Sequence, residues 1–407
     1  MRTRTLSLSL ATALLIASAP ARADVVTDWN TTALAAAAPL APYPEGRVMS
    51  IAHGAMFDAA NAIARSYKSY LVQPDAPAGA SVDAAVAGAA HDALVGLLPG
   101  SKAMLDAALA ASLAKVGDAA ARDSGLAIGR QVAERYLADR ANDGSNAKPD
   151  FRPGAAPGQW QPTLPGHTPF GAVIWADVQP WAVKPSEVPP PGPLSIDSPA
   201  YQRDLDEVRR LGGRNSTERT ADQTAAALFT MVKGGPLWSA AAKAAIAAKG
   251  GGSVIDNARV FALMHFAQLD AFIAGVSIKR QYPLWRPITA IRSAATNADP
   301  TWEPLLETPP HPDYVSTHCI NGGAIAEVLR RVLKTDGAPF TAWTGHAGGG
   351  FWRSFANFSA VETEIANGRV WAGIHTRTAD EHGAQVGHRI GELIVRRVAT
   401  PVNAASN

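Results

Sequence analysis

The residues best equipped for chemistry lie in the last third of the chain, in three short clusters: Lys279 with Arg286 and Pro287, Ser316 with His318, and Arg369 with His375. Lysine and two arginines supply fixed positive charge. Serine adds a hydroxyl, and the two histidines add ring nitrogens able to act as acid, base or nucleophile. An arginine fork can donate two parallel hydrogen bonds to two oxygens of one anion, whereas lysine acts as a point charge. The set is an inventory for gripping a tetrahedral oxyanion such as phosphate or vanadate.

Each member alone has an ordinary structural reading. Lys279 ends a strongly apolar helical segment predicted over Ser253 to about Lys279, where a cation is favoured by the helix dipole. Ser316 or Thr317 could simply cap the helix that Ile325, Val328, Leu329, Val332 and Leu333 announce by their spacing. That helix should start between Ser316 and Ile320, which places Ser316 at an end where unpaired N–H groups bind anions. A third helix is announced by Ser359-Ala360-Val361-Glu362, read as a capping box with Ser359 at the cap. Arg369 comes near its end. Gly383, Gly387 and Gly391 then mark a smooth face for close helix packing, so His375 is expected in a tight helix junction.

Alanine-rich segments of helical periodicity dominate elsewhere, around 48–63, 82–97, 102–115, 118–141, 198–210 and 217–232, and the expected fold class is all-α, a multi-helix bundle. Between about 143 and 198 Pro, Gly and Trp are frequent. A long irregular connection is predicted there, packed over the helices by Trp160, Trp175 and Trp181. The organisation read from these shifts is an N-terminal helical region over 24–198 packed on a catalytic bundle over 199–400.

The three clusters in order, Lys279 with Arg286-Pro287, Ser316-x-His318 and Arg369 with His375, resemble the signature shared by vanadium-dependent haloperoxidases and type 2 phosphatidic acid phosphatases. The wording Lys279-Arg280-Gln281-Tyr282-Pro283-Leu284-Trp285-Arg286-Pro287 is similar to the haloperoxidase form of the first motif. Val315 and Thr317 stand where the family usually has proline and glycine, and Gly368 stands where it has serine. The resemblance implies a helical bundle of the haloperoxidase and acid phosphatase type, with Lys279, Arg286, Ser316, the amide of Thr317 and Arg369 holding the anion's oxygens. It implies that His375 bonds to the central atom, vanadium or phosphorus, and that His318 is the acid/base. It also implies that His311 lies beside the anion and favours bromide or iodide, and it places Trp285 with His311 in the halide and peroxide pocket. Asp270, nine residues before Lys279, is expected to orient one of the arginines. The implied cofactor is vanadate, with phosphate able to occupy the same site. The implied partners are hydrogen peroxide, halide and a small organic acceptor, and a homodimer is left open. The alternative is an acid phosphatase using a phosphohistidine. A zinc hydrolase has little support, because there is no H-E-x-x-H.

Arg2 and Arg4, an apolar run from about Leu6 to Ala17, and Ala21-Arg22-Ala23 read as an export signal cleaved after Ala23. A secreted or periplasmic protein beginning at Asp24 is expected. Without that segment the chain is close to neutral, which gives no reason to expect nucleic acid or a membrane surface as partner. No later stretch is read as a transmembrane segment. Cys319 is the only cysteine, so stability must come from packing.

Overall fold

The structure is a computed structural model that describes residues 24–293, 298–346 and 349–402, so the predicted export segment lies outside the described residues. Five helices open the fold: α1 (Val25–Ala37), α2 (Pro42–Ala64), α3 (Val82–Leu97), α4 (Lys102–Leu113) and α5 (Ala119–Asp139). After the irregular connection come α6 (Pro199–Leu211), α7 (Ala221–Phe229), α8 (Gly234–Ala248), α9 (Val254–Gln281), α10 (Pro287–Arg292) and α11 (Thr317–Leu333). A hairpin of β1 (Phe340–His346) and β2 (Gly349–Phe355) precedes α12 (Phe358–Trp371) and α13 (Arg377–Arg397). Among the described residues the protein is all-α apart from that hairpin, which pairs antiparallel with Trp343 opposite Trp352. The sequence reading had no strand there.

Helix α9 is buried on nearly all sides and is packed by α2, α11 and α13. By length and composition it could cross a bilayer, contrary to the sequence reading, yet it is the central helix of this core. Helices α11 and α13 lie against each other closely. A Cβ on Gly387 would come 2.2 Å from the Ile320 carbonyl oxygen, so only glycine permits the approach.

Two buried aspartates tie irregular chain to these helices. Asp270, on α9, accepts the backbone N–H groups of Trp181, Ala182 and Val183 at 2.6, 2.9 and 2.8 Å. This corrects its expected role: its oxygens are committed to the connection rather than to a site arginine. Asp58 does the same for Tyr70, Leu71 and Val72 and accepts the Tyr136 hydroxyl. Trp160, Trp175 and Trp181 are buried, and Arg140 stacks over Trp181 at 3.7 Å. The connection is therefore fastened by backbone hydrogen bonds and aromatic packing.

The third predicted helix also needs a correction at its start. Asn357 is the N-cap of α12, its side chain accepting from the Ala360 amide at 2.8 Å, while Ser359 lies inside the first turn and accepts from Arg330. Both residues are good caps by type, and the polypeptide used the earlier one.

His53 and His265 stack inside the core with ring centroids 4.6 Å apart. Burial holds His265 down at about 4, and burial with the nearby charge of His265 depresses His53. An unfolded chain takes up protons on these rings as pH falls through about 6.5, whereas folded His265 stays neutral down to about 4, so their contribution to stability falls across that window. The expected result is a lower urea midpoint at pH 4.5 than at pH 7. His265→Gln should lose less over the same interval, by on the order of 2 kcal/mol, and an identical pH dependence in the variant would contradict the assignment.

Candidate active site

Four elements converge on one buried point. The end of α9 brings Lys279, the turn into α10 brings Arg286, the start of α11 brings Ser316, Thr317 and His318, and the α12–α13 junction brings Arg369 and His375. Gly373 makes that junction possible. Its φ is +79°, and a Cβ there would come 2.4 Å from the Gly212 carbonyl oxygen. A side chain would be strained by the backbone and blocked by its neighbour.

Arg286 is the hub. Its Nε donates to the His311 carbonyl at 2.6 Å and its Nη2 to His311 Nδ1 at 2.9 Å. Nη1 donates to the Ile374 carbonyl and lies 3.1 Å from His375 Nε2. Lys279 Nζ donates to the carbonyls of Pro312 and Asp313 at 2.6 and 3.1 Å.

Asp313 is the residue that sequence reasoning missed. It is fully buried, and its Oδ1 accepts His375 Nδ1–H at 2.7 Å while its Oδ2 accepts the Thr376 hydroxyl at 2.7 Å. A carboxylate on Nδ1 fixes the proton there and leaves Nε2 as the lone-pair nitrogen. Asp313 Oδ1 also lies 4.0 Å from Arg286 Nη1. One residue therefore orients the histidine and offsets the charge beside it. Nothing in the Pro309-Pro310-His311-Pro312-Asp313 run marked it as chemical. Asp380 was missed as well: it is buried beside Arg369, and Cys319 Sγ donates to it at 3.2 Å.

The N-terminus of α11 is presented without the usual cap. Ser316 occupies the N-cap position, yet its side chain bonds none of the helix amides, so the N–H groups of Thr317, His318 and Cys319 precede the first helical bond, Ile320 N–H to Ser316 carbonyl at 3.0 Å. Ser316 Oγ is buried near Asp380 and Cys319 without a well-formed hydrogen bond to either. Arg369 Nε and Thr317 Oγ1 are also buried without a partner among the described residues. Orphaned donors around a positive helix end are what a tetrahedral oxyanion would satisfy.

Electrostatics point the same way. Burial, reinforced by the positive charges of Arg286, Lys279 and Arg369, holds His375 well below the ordinary histidine range. His318 and His311 are depressed by the same causes. Burial lowers Arg286 to about 9 and Arg369 to about 10, still protonated at neutral pH, and it drives Lys279 down with repulsion from Arg286 adding to it. Burial raises Asp380 to about 7 and Asp313 to about 6, the latter against the pull of Arg286. An anion in the cradle would relieve the repulsion among the cations.

His318 and His311 are half-buried and face a chamber of about 260 Å³ together with Thr317 and Arg369. Trp285 does not line that chamber. Its side chain is 2% exposed, packs with Leu205, Val208 and Ile291, and donates Nε1–H to the Tyr201 hydroxyl at 2.5 Å. Its expected place in the pocket is thus corrected: Arg286 turns into the site while Trp285 turns into a supporting cluster.

Residues 259–404 match the VCPO second helical-bundle domain. The vanadium chloroperoxidase of Curvularia inaequalis is 35% identical over 88 residues, 19% of this chain and 14% of that protein, so the match spans a small part of that relative. The crystal structure of the first bacterial vanadium-dependent iodoperoxidase superposes over 93% of this chain and 97% of its own, with a TM-score of 0.76 at 22% identity. A holo-type bacterial vanadium-dependent chloroperoxidase covers 92% of this chain and 93% of its own, with a TM-score of 0.68 at 17% identity. These solved structures share the fold, and the domain match falls on the half that holds every cluster of the site. By residues 259–404 the chain is similar to the VCPO second helical-bundle domain, and by its overall fold it is similar to the vanadium-dependent haloperoxidases.

Proposed function

We propose that this protein is a vanadium-dependent haloperoxidase that oxidises halide with hydrogen peroxide. The observation that carries the reading is the cradle itself: His375 Nε2, oriented through Asp313, beside Arg286, at the same buried site as Lys279, Arg369 and the orphaned Ser316 hydroxyl. In it, Lys279, Arg286, Ser316, the Thr317 amide and Arg369 hold the oxygens of vanadate, and His375 Nε2 supplies the bond to vanadium. Vanadate, when bound, supplies a Lewis-acidic centre that activates peroxide toward halide. His318, half-buried at the chamber wall with no hydrogen bond among the described residues, is placed to move a proton there.

Vanadate-free protein assayed with bromide and peroxide, with and without added orthovanadate, tests this against a phosphomonoesterase assay run in parallel. Vanadate-dependent bromide oxidation is expected. Phosphate release from a phosphomonoester with no halide oxidation would replace the reading with the phosphatase one.

Asp313→Asn removes the charge behind His375 while keeping its shape. Loss of a partner that orients a metal-bound histidine costs roughly 10–100-fold in affinity. Equilibrium dialysis against vanadate should show a loss of that order, together with a changed pH dependence of binding; unchanged retention would remove Asp313 from the account.

Halide choice is assigned to His311, whose ring accepts from Arg286 and borders the chamber. An imidazole there keeps the pocket polar, and a phenyl ring would exclude water and strengthen the oxidant. The native protein should oxidise bromide and iodide with little chloride activity, and His311→Phe should raise chloride relative to bromide. An unchanged halide profile would reduce His311 to an anchor for Arg286. Residues 24–198 are proposed as a scaffold packed on a catalytic half over 199–400, and export with cleavage after Ala23 is proposed from residues 1–23. Amino-terminal sequencing of the exported protein should begin at Asp24.

A further inference from the structure

The first turn of α2 carries a tyrosine between two prolines, Pro42-Tyr43-Pro44. Each proline ring fixes its own φ and offers no N–H, so the backbone that presents Tyr43 has little freedom. The side chain is held from two further directions. Its ring stacks on Trp175 of the irregular connection with centroids 5.6 Å apart, and Phe272 of α9 tilts against it at 4.8 Å. Three distant parts of the chain thus fix one phenol.

They fix it at the wall of the cradle's chamber. Tyr43 is half-buried and borders that chamber with Thr317, His318 and Arg369. Its hydroxyl is buried and has no hydrogen-bond partner among the described residues. Thr317 Oγ1, which lies near it at the start of α11, is orphaned in the same way. A buried hydroxyl without a partner has lost its hydrogen bond to water and gained none in return. Two of them at a positive helix end mark a place kept for an acceptor from outside the chain.

The electrostatics of the phenol suit an anion. Burial pushes Tyr43 up to about 12, against the pull of Thr317 and Arg286. At neutral pH it is therefore an uncharged O–H donor, with no phenolate charge to repel an anion. The arginine that feels it is the hub of the site, whose Nη1 lies 3.1 Å from His375 Nε2. Lys279, Arg286 and Arg369 already repel one another there, and a neutral donor adds grip without adding to that repulsion.

We infer that Tyr43 is an oxyanion-binding residue, its hydroxyl donating a hydrogen bond to an oxygen of the tetrahedral anion in the cradle. The inference rests on the oxyanion reading of that cradle. It gives the N-terminal helical region a part beyond that of a scaffold, because α2 supplies a donor that none of the three motif clusters contains.

The test is isothermal titration calorimetry of the full-length, vanadate-free protein with orthovanadate, for the native chain and Tyr43→Phe. The phenyl ring keeps the packing on Trp175 and Phe272 and deletes the donor alone. Affinity should fall roughly 10–100-fold, the worth of one hydrogen bond to a charged acceptor. The melting temperature of the empty variant should equal or exceed the native value, because no bond within the fold is lost, while the rise on adding vanadate should be smaller than in the native protein. Unchanged vanadate affinity in Tyr43→Phe would overturn the inference, and so would a lower melting temperature of the empty variant, which would assign the hydroxyl to the fold through Thr317. Native protein that binds no vanadate would sink the cradle reading and this inference with it, whereas native binding matched by the variant would sink this one alone. Weakened binding in the variant, with no halide oxidation by the vanadate-loaded native protein, would sink the haloperoxidase reading and leave Tyr43 in place.

Discussion

His375→Ala should lose vanadate altogether under conditions where the native protein retains it through gel filtration. The side chain supplies a neutral ring nitrogen aimed into the cradle, since Asp313 holds the proton on Nδ1 and Arg286 Nη1 lies 3.1 Å from Nε2. Its removal should cost more than the roughly 10–100-fold expected for an orienting partner. The fold should survive, because the junction is set by Gly373 and by α13 packing on α11 rather than by the imidazole. Retention of vanadate by the variant at native affinity would mean that the arginines and lysine alone hold the anion.

His318→Ala has a different expected signature. The ring makes no hydrogen bond among the described residues, is held neutral by burial and by Arg369, Arg286 and Lys279, and borders the chamber. It can therefore exchange a proton without dismantling the cradle. Turnover should fall by about 10²–10⁴-fold while vanadate affinity changes only a few-fold. Measuring both on the same preparation decides the matter: equal loss of affinity and turnover would make His318 a ligand, and full turnover would remove it from the chemistry.

The sequence made the cationic members of the site legible, because Lys279, Arg286 and Arg369 are costly to bury and so carry a signal by type alone. Asp313 and Asp380 are equally buried but gave no such signal. A carboxylate in a proline-rich turn or one turn into a helix is ordinary on a surface, and only tertiary packing reveals that it is enclosed. Trp285 was misplaced because adjacent residues in extended chain face opposite ways, and the motif alone does not say which of Trp285 and Arg286 points inward. Asp270 was misread for a related reason: on a helix buried all round, the carboxylate's partner can lie in any direction, and it was the backbone of 181–183. The cap of α12 fell to Asn357 over Ser359, two competent residues separated by one position. Helical periodicity placed the long elements well, whereas the glycine- and tryptophan-containing hairpin of β1 and β2 offered too little alternation to be read as strands.

The central claim is that one cradle gathers a tetrahedral oxyanion onto His375. A crystal structure of the protein grown with orthovanadate tests it most directly. The account predicts vanadate bonded to His375 Nε2, with its oxygens on Lys279, Arg286, Ser316, the Thr317 amide and Arg369, and Asp313 still on Nδ1. Vanadate bound elsewhere, or bound among the cations with His375 turned away from it, would contradict the account.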